Sequence, residues 1–226
     1  MPAVVRKIFL KNMHCPSIEV DLFDLGNVIL PFDHHQIGEK LRCFSQKKET
    51  EDPQKIFTYL FDLQTGAVNL YETGKMTSQE FFQSLKDFFR LQMSFDEFVT
   101  LWNDIFTENE AVSEIVRFLK GKVRLGLVSN TNALHFDYIA SRFPVVHSFD
   151  RWILSHEVGY KKPAPEIYQK AMEWASVEPK KTLFIDDSIT NVEAAIALGI
   201  QGLHFLSAQQ LREELSVRLK SRGISF

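Results

Sequence analysis

Cysteine is scarce in this sequence, and its scarcity excludes several classes of protein. Cys15 and Cys43 are the only two cysteines among 226 residues, which is too few for a disulfide framework. Neither belongs to a CxxC pair or to the Cys/His spacing of a zinc site. Internal repeats and low-complexity segments are also missing. We therefore expect a globular protein of a reducing compartment, without structural zinc.

Long apolar runs and an excess of one charge are missing as well. No low-charge apolar stretch reaches the roughly 18 residues that cross a bilayer, and Arg6, Lys7 and Lys11 interrupt any signal-peptide core. The formal net charge is −3 and the pI is near 6.2, whereas a nucleic-acid binder needs a clustered cationic surface. We expect a cytoplasmic protein that binds neither membranes nor nucleic acid.

Short apolar segments alternate with helical patterns along most of the chain. Hydrophobic residues make up 45% of the sequence, which suits one packed domain with an insertion, or two small domains. Strands are predicted at residues 18–23, 123–128, 152–155, 182–185 and 202–205. Helices are predicted at residues 132–142, 164–174, 191–198 and 207–220. This alternation predicts right-handed crossovers and a parallel α/β sheet with helices on both faces.

One stretch, from residue 34 to about residue 110, shows helical patterns only. Ser94 and Glu97 fit a capping box, and Thr77 or Ser78 begins another helix. Eleven of the 20 phenylalanines lie between Phe32 and Phe106, more aromatic bulk than a surface loop can bury. We expect a helical cap domain at 34–110 with its own core, inserted into a core domain of residues 17–33 and 111–226. Some of these aromatic side chains are also candidates for contact with a ligand.

Polar residues follow three of the predicted strands, at the edge where parallel sheets bind ligands. Asp24 follows the first strand, Ser129 and Asn130 the second, and Asp186 and Asp187 the fourth. Adjacent carboxylates repel unless a cation neutralises them, and three carboxylates around one point suit Mg²⁺. Ordinary roles remain open for each group, since the acidic pair also suits a helix cap and the serine a turn.

A lysine in the loop at residues 159–163 reaches toward the same edge. Lys162 is placed to neutralise an anionic substrate there, while Lys161 is a candidate for an exposed surface charge. A carboxylate nucleophile, a cation, a hydroxyl donor and a lysine together suit phosphoryl transfer, which depends on positioning and on neutralising charge.

Four sequence motifs resemble those of the haloacid dehalogenase (HAD) superfamily, in its order and spacing. They are FDLGNV at 23–28, LVSN at 127–130, GYKKP at 159–163 and FIDDSITN at 184–191, and the resemblance covers residues 18–205. It implies a Rossmann-like core with a helical cap between the first and second motifs.

The resemblance also implies a role for each site residue. By this resemblance, Asp24 is expected to be the nucleophile that forms an aspartyl-phosphate. The residues implied to hold the phosphoryl group are Ser129, Asn130 and Lys162. Lys162 also steadies the nucleophile. The resemblance implies Mg²⁺ as the metal, with Asp24, the backbone carbonyl of Gly26 and Asp187 as its direct ligands and Asp186 in its outer sphere.

Gly26 departs from the family pattern. Most phosphatases of the superfamily carry a second Asp there, which protonates the leaving group and then activates water, and such help is worth roughly 10²–10⁴-fold. The DLGNV motif resembles a bacterial branch that includes α-D-glucose-1-phosphatase, and an anomeric leaving group needs less protonation. Asp33, His34 and His35 are candidate replacement donors, although histidines at a domain junction are usually structural.

The favoured interpretation is a Mg²⁺-dependent phosphatase of a small phosphorylated metabolite, with sugar phosphates as candidates. A 2-haloacid dehalogenase also lacks the second Asp, but it needs no metal and has no use for Asp186 and Asp187. A catalytically silent fold that binds phosphate or a partner is the remaining alternative, and Gly26 favours it. The oligomeric state is left open.

Overall fold

A computed structural model of the chain describes residues 18–47, 52–62, 66–220 and 223–226. The predictions for the N-terminal segment and for Cys15 concern residues outside these ranges. Cys43 is exposed, and its thiol donates to the carbonyl of Glu39 at 3.7 Å. Within the described part of the chain, none of the helices combines the length and the apolar character of a membrane span.

Five parallel strands form one sheet. In chain order they are β1 (Val20–Phe23), β2 (Arg124–Ser129), β3 (Arg151–Leu154), β4 (Thr182–Asp186) and β5 (Gln201–His204). Their spatial order is β3-β2-β1-β4-β5, so β1 lies in the centre, between β2 and β4. All five predicted strands are present, and the α/β Rossmann-like fold class is confirmed.

The described residues contain eleven α-helices. They are α1 (His35–Arg42), α2 (Pro53–Phe61), α3 (Val68–Glu72), α4 (Ser78–Phe89), α5 (Phe95–Asn103), α6 (Glu110–Leu119), α7 (Ala133–Arg142), α8 (Ser155–Val158), α9 (Pro165–Ala175), α10 (Ile189–Ala197) and α11 (Ala208–Lys220). Short 3-10 helices lie at Pro144–Ser148 and Pro179–Lys181. The four helices predicted between or after the strands correspond to α7, α9, α10 and α11.

Both faces of the sheet are covered, as the apolar strands require. Alternate residues of a strand point to opposite faces, and β1 follows this rule. Phe23 packs with residues of α6, α7 and α11, whereas Val20 and Leu22 pack with residues of α9 and α10. Because β1 pairs in parallel with both β2 and β4, the carboxyl ends of these three strands lie side by side at one edge.

The segment between β1 and β2 contains helices α1 to α5, and its apolar side chains form a buried cluster of their own. Thr77 and Ser94 begin α4 and α5 with complete capping boxes, in which the hydroxyl accepts from the third backbone N–H of the helix and the glutamate there accepts from the capping residue. These local signals explain why the segment is helical. Its division from the core at 34–110 stays a prediction.

Polar contacts join α5 to the start of α7. The indole N–H of Trp102 donates to Oδ1 of Asn132 at 3.4 Å. His135 is buried, and its Nε2 lies 3.0 Å from the carbonyl of Trp102. Its Nδ1 lies 3.1 Å from the side-chain amide nitrogen of Asn132. Because a carbonyl only accepts and an amide NH₂ only donates, the ring is neutral with its proton on Nε2. Burial and the neighbouring His34 lower the pKa of His135 to about 3.

The neutral ring of His135 makes folding stability depend on pH. The folded-state pKa is about 3, whereas an unfolded histidine has a pKa near 6.5, so only the unfolded chain gains a proton as the pH falls below that value. Between about pH 7.5 and about pH 5.5 this linkage removes about 1.4 kcal/mol of unfolding free energy. In His135→Gln we expect the loss over that interval to be smaller by this amount, as measured by urea unfolding. An equal loss in both proteins would contradict the assignment.

Candidate active site

Three carboxylates converge at the carboxyl edge of the sheet. Asp24 follows β1, Asp186 ends β4 and Asp187 comes directly after it. Each of them offers an oxygen, and the three oxygens lie within 4.8 Å of one another. Asp24 and Asp186 are buried and Asp187 is half-buried. The structure thus brings together the three acidic residues that the sequence analysis placed at strand ends.

Lys162 lies at the centre of this cluster with its ammonium group buried. Nζ donates to Oδ1 of Asp24 at 2.5 Å, to Oδ2 of Asp186 at 2.7 Å and to the carbonyl of Val128 at 2.9 Å. Burial by itself lowers the pKa of Lys162, but the two carboxylates outweigh it, so the pKa is raised above its ordinary value. The lysine is therefore a fixed positive charge whose three N–H groups are all used.

Asp24 has one anchored and one available oxygen. Oδ1 accepts from the Leu25 N–H at 2.7 Å as well as from Lys162, while Oδ2 accepts no hydrogen bond from a residue the structure describes. Burial raises the pKa of Asp24, and Asp186 raises it further, against the lowering effect of Lys162. One ammonium facing three carboxylates leaves excess negative charge, which favours binding of a further cation.

The two members of the acidic pair differ in what they already bind. Oδ1 of Asp186 accepts from the Ser188 N–H at 2.8 Å and from the Asn191 side chain at 3.0 Å, and Oδ2 from Lys162. Asp187 is more open to solvent, and burial raises its pKa against the lowering effect of the nearby Asn27 side chain. Asn191 and Ser188 lie inside the fourth motif, but nothing in their local sequence assigned them to the Asp186 carboxylate.

The two polar residues at the end of β2 have different surroundings. Ser129 is 3% exposed, and its hydroxyl makes no hydrogen bond within the described ranges, so it is available to an incoming oxygen. The side chain of Asn130 is engaged with the backbone of Lys162 through both its oxygen and its nitrogen. Ser129 and Asn130 are both predicted to bind phosphate, but the side-chain amide of Asn130 is hydrogen-bonded to the backbone of Lys162.

The space beside Gly26 is filled by an aromatic ring. A Cβ at this position would lie 2.5 Å from Cε1 of Phe32. The Phe32 ring packs against His34 and Phe106, with centroids 4.4 and 5.8 Å away. The backbone carbonyl of Gly26, predicted as a metal ligand, accepts from the Val28 N–H at 2.6 Å and keeps one lone pair. No side chain of residue 26 can supply a proton here, and the ring occupies its place.

The three candidate replacement donors have structural contacts. Oδ1 of Asp33 accepts from the His35 N–H at 2.9 Å at the start of α1. His35 is exposed and stacks on Phe57 at 4.0 Å. His34 stacks on Phe61 at 4.2 Å, and burial lowers its pKa to about 4, so it is neutral at pH 7. These contacts favour the structural interpretation of both histidines.

Lys161, for which an exposed surface role was open, contacts α3. Its ammonium lies 2.5 Å from Oε2 of Glu72, whose side chain is 10% exposed, and it donates to Oδ1 of Asn69 at 2.9 Å. The next residue, Lys162, instead contacts the carboxylates of Asp24 and Asp186. The 159–163 loop therefore contacts both the helical segment and the site, which the sequence pattern did not reveal.

Comparison with known proteins identifies the family. A model of the haloacid dehalogenase-like hydrolases matches residues 18–199. The chain belongs to this family. It is 27% identical over 207 residues to the D-ribitol-5-phosphate phosphatase of Bacteroides thetaiotaomicron, covering 88% of this chain and 98% of that protein. It is 30% identical over 105 residues to the phosphorylated carbohydrates phosphatase of Thermotoga maritima, covering 46% of this chain and 49% of that one.

Solved structures agree with this assignment. A HAD family enzyme from Bacteroides thetaiotaomicron, in complex with magnesium and inorganic phosphate, matches with a TM-score of 0.72 and 28% identity over 82% of this chain and 93% of that chain. The L-2-haloacid dehalogenase of Xanthobacter autotrophicus matches with a TM-score of 0.58 and 16% identity over 88% of this chain and 82% of that one, a likeness of fold alone. Membership of the HAD superfamily, and with it the hydrolase class, is confirmed, and the α-D-glucose-1-phosphatase branch stays a prediction.

The contact between Gly26 and Phe32 predicts a measurable coupling. Gly26→Ala is expected to cost about 1–3 kcal/mol of unfolding free energy, because the new methyl group lies 2.5 Å from the Phe32 ring. In a Phe32→Ala background the same substitution should cost at least about 1 kcal/mol less. Urea unfolding of the wild type, both single variants and the double variant measures this coupling. Equal costs in the two backgrounds would show that the ring does not occupy the space.

Proposed function

We propose that this protein is a Mg²⁺-dependent phosphatase that hydrolyses a small phosphorylated metabolite through an aspartyl-phosphate on Asp24. The observation that carries the proposal is the contact of Lys162 with both Asp24 and Asp186, next to the oxygen of Asp187. An anchored carboxylate with one available oxygen, beside a fixed ammonium group, suits attack on phosphorus. The phosphatase names of relatives and the phosphate-bound structure of a relative support the same chemistry.

In this mechanism Oδ2 of Asp24 attacks the phosphorus atom and the alcohol oxygen of the substrate leaves. Lys162 holds Oδ1, which fixes the direction of the available oxygen, and its charge stabilises the negative charge that develops on the phosphoryl group. The free hydroxyl of Ser129 donates to a phosphoryl oxygen. Water then cleaves the aspartyl-phosphate, which releases inorganic phosphate and restores the carboxylate.

The donor set fits a hard divalent cation. Asp24 and Asp187 would hold Mg²⁺ directly, with the carbonyl of Gly26 as a further ligand, because carboxylate and carbonyl oxygens are the ligands it prefers. Asp186, which already binds Ser188, Asn191 and Lys162, would act from the outer sphere. When bound, the ion neutralises the excess charge of the cluster and of the phosphate group.

Position 26 bears on the choice of substrate. With Phe32 in the place of an acid at residue 26, the departing oxygen receives no proton from that position. Substrates whose leaving group departs readily are therefore favoured, and an anomeric phosphate of a sugar is one such substrate. The names of two relatives, which refer to ribitol phosphate and to phosphorylated carbohydrates, favour a phosphorylated carbohydrate in general, and only the contact at residue 26 favours an anomeric phosphate.

A catalytically silent phosphate-binding protein is the second candidate, and the ring of Phe32 beside Gly26 is the observation that favours it. A 2-haloacid dehalogenase is disfavoured because three convergent carboxylates have no use in a metal-free reaction. A panel of phosphomonoesters assayed with Mg²⁺ and with EDTA separates these candidates. Turnover that EDTA abolishes supports the phosphatase, halide release from chloroacetate without metal supports the dehalogenase, and silence toward every substrate supports the binding protein.

Replacing the nucleophile should abolish turnover of any phosphomonoester in that panel. Asp24→Asn keeps the size of the side chain but removes the charge that attacks phosphorus, so we expect kcat to fall by roughly 10³-fold or more. Glu213→Gln, an exposed residue of α11, is the matched control and should keep the wild-type rate. Circular dichroism checks the fold of both variants. Wild-type turnover in Asp24→Asn would rule out the aspartyl-phosphate.

The Mg²⁺ titration tests which member of the acidic pair binds the ion. Asp187→Asn should raise the Mg²⁺ concentration for half-maximal rate by at least roughly 10-fold, because Asp187 is the more open carboxylate. Asp186→Asn is the comparison variant. It should lower kcat through its contact with Lys162 and shift the titration less than Asp187→Asn. An unchanged titration in Asp187→Asn would count against its role as a ligand.

A further inference from the structure

The side chain of Asn130 pairs with both backbone groups of Lys162. The Lys162 N–H donates to Oδ1 of Asn130 at 2.7 Å, and Nδ2 of Asn130 donates to the Lys162 carbonyl at 2.9 Å. The two residues are 32 positions apart in the chain. Among the described residues, neither of these two backbone groups makes another hydrogen bond. The amide therefore ties the 159–163 loop to the end of β2.

This pairing fixes the backbone position from which the Lys162 side chain extends. Two hydrogen bonds from one planar amide fix both the position and the orientation of a backbone segment, whereas a single bond leaves it free to rotate. At the other end of the side chain, Nζ reaches Asp24, Asp186 and the carbonyl of Val128 at 2.5 to 2.9 Å. A buried ammonium group needs all three partners, so a small displacement of the Lys162 backbone would break this arrangement.

We propose that Asn130 is a positioning residue that acts through Lys162 and is not itself a phosphate ligand. This inference rests on the proposed function of the site. Of the two residues at the end of β2 that are predicted to bind phosphate, Ser129 then makes the contact. Its hydroxyl makes no hydrogen bond to a described residue. The loss of Asn130 should accordingly impair the chemical step and leave binding of phosphate almost unchanged.

A neighbouring asparagine provides a matched control. Asn132 lies two residues further on, is fully buried and begins α7, where its Oδ1 accepts from the His135 N–H at 3.1 Å and from the Trp102 indole. Its hydrogen bonds do not involve Lys162. Substituting it should lower stability as any lost helix cap does, with no specific link to the lysine.

A double-mutant cycle tests the proposal. Asn130→Ala, Lys162→Met and the double variant are assayed with p-nitrophenyl phosphate at saturating Mg²⁺, and inorganic phosphate is used as an inhibitor. Asn130→Ala should lower kcat by roughly 10- to 100-fold and change KM and the inhibition constant of phosphate by less than about 3-fold. In the Lys162→Met background the same substitution should have no further effect. Asn132→Ala should lower the rate equally in both backgrounds, if at all.

Additive effects of Asn130→Ala and Lys162→Met, or a weakened inhibition constant with an unchanged kcat, would overturn the proposal in favour of direct phosphate binding. If Lys162→Met does not fold, Lys162→Gln takes its place, because it keeps a hydrogen-bond donor near the carboxylates. A wild type without activity would refute the proposed function alone. Urea unfolding still tests the pairing in that case, because Asn130→Ala removes the partner of both backbone groups of Lys162 and should lower the unfolding free energy. An unchanged unfolding free energy in Asn130→Ala would refute the pairing.

Discussion

The structure depends on one buried ammonium group. Removing a lysine from water costs several kcal/mol, and this cost is offset only when every N–H has a partner of suitable geometry. Lys162 meets that condition with Asp24, Asp186 and the carbonyl of Val128. These partners belong to the carboxyl ends of three adjacent strands, β1, β4 and β2. The register of the central sheet and the position of the 159–163 loop are therefore constrained together.

The sheet and the acidic cluster could be predicted because their signals are local. A central strand buried on both faces is a short apolar run, and the switch to a polar residue marks where it ends, as at Asp24 and Asp186. Parallel strands then bring these ends together without any further information. The helical segment could likewise be predicted, because capping boxes such as those of Thr77 and Ser94 are written in four consecutive residues.

The contacts that refine the site could not be predicted in this way. Phe32 belongs to a stripe of aromatic residues that all suit core packing, and nothing in that pattern distinguishes the ring that fills the space beside Gly26. Lys161 and Lys162 are adjacent and chemically identical, yet one contacts Glu72 and the other the carboxylates. Such differences arise from the three-dimensional path of the loop, on which the local sequence carries no signal.

The ring of Phe32 and the roles of the three carboxylates together limit which leaving groups the proposed reaction can release. In the proposed mechanism Asp24 is the nucleophile and Asp187 is a ligand of the cation. Asp186 already accepts hydrogen bonds from Lys162, Ser188 and Asn191. No carboxylate of the cluster is therefore left to protonate the departing oxygen. A general acid contributes roughly 10²–10⁴-fold where one is present. Without one at residue 26, the stability of the departing anion determines the barrier, and selectivity for the substrate follows from the chemistry of the leaving group as well as from its shape.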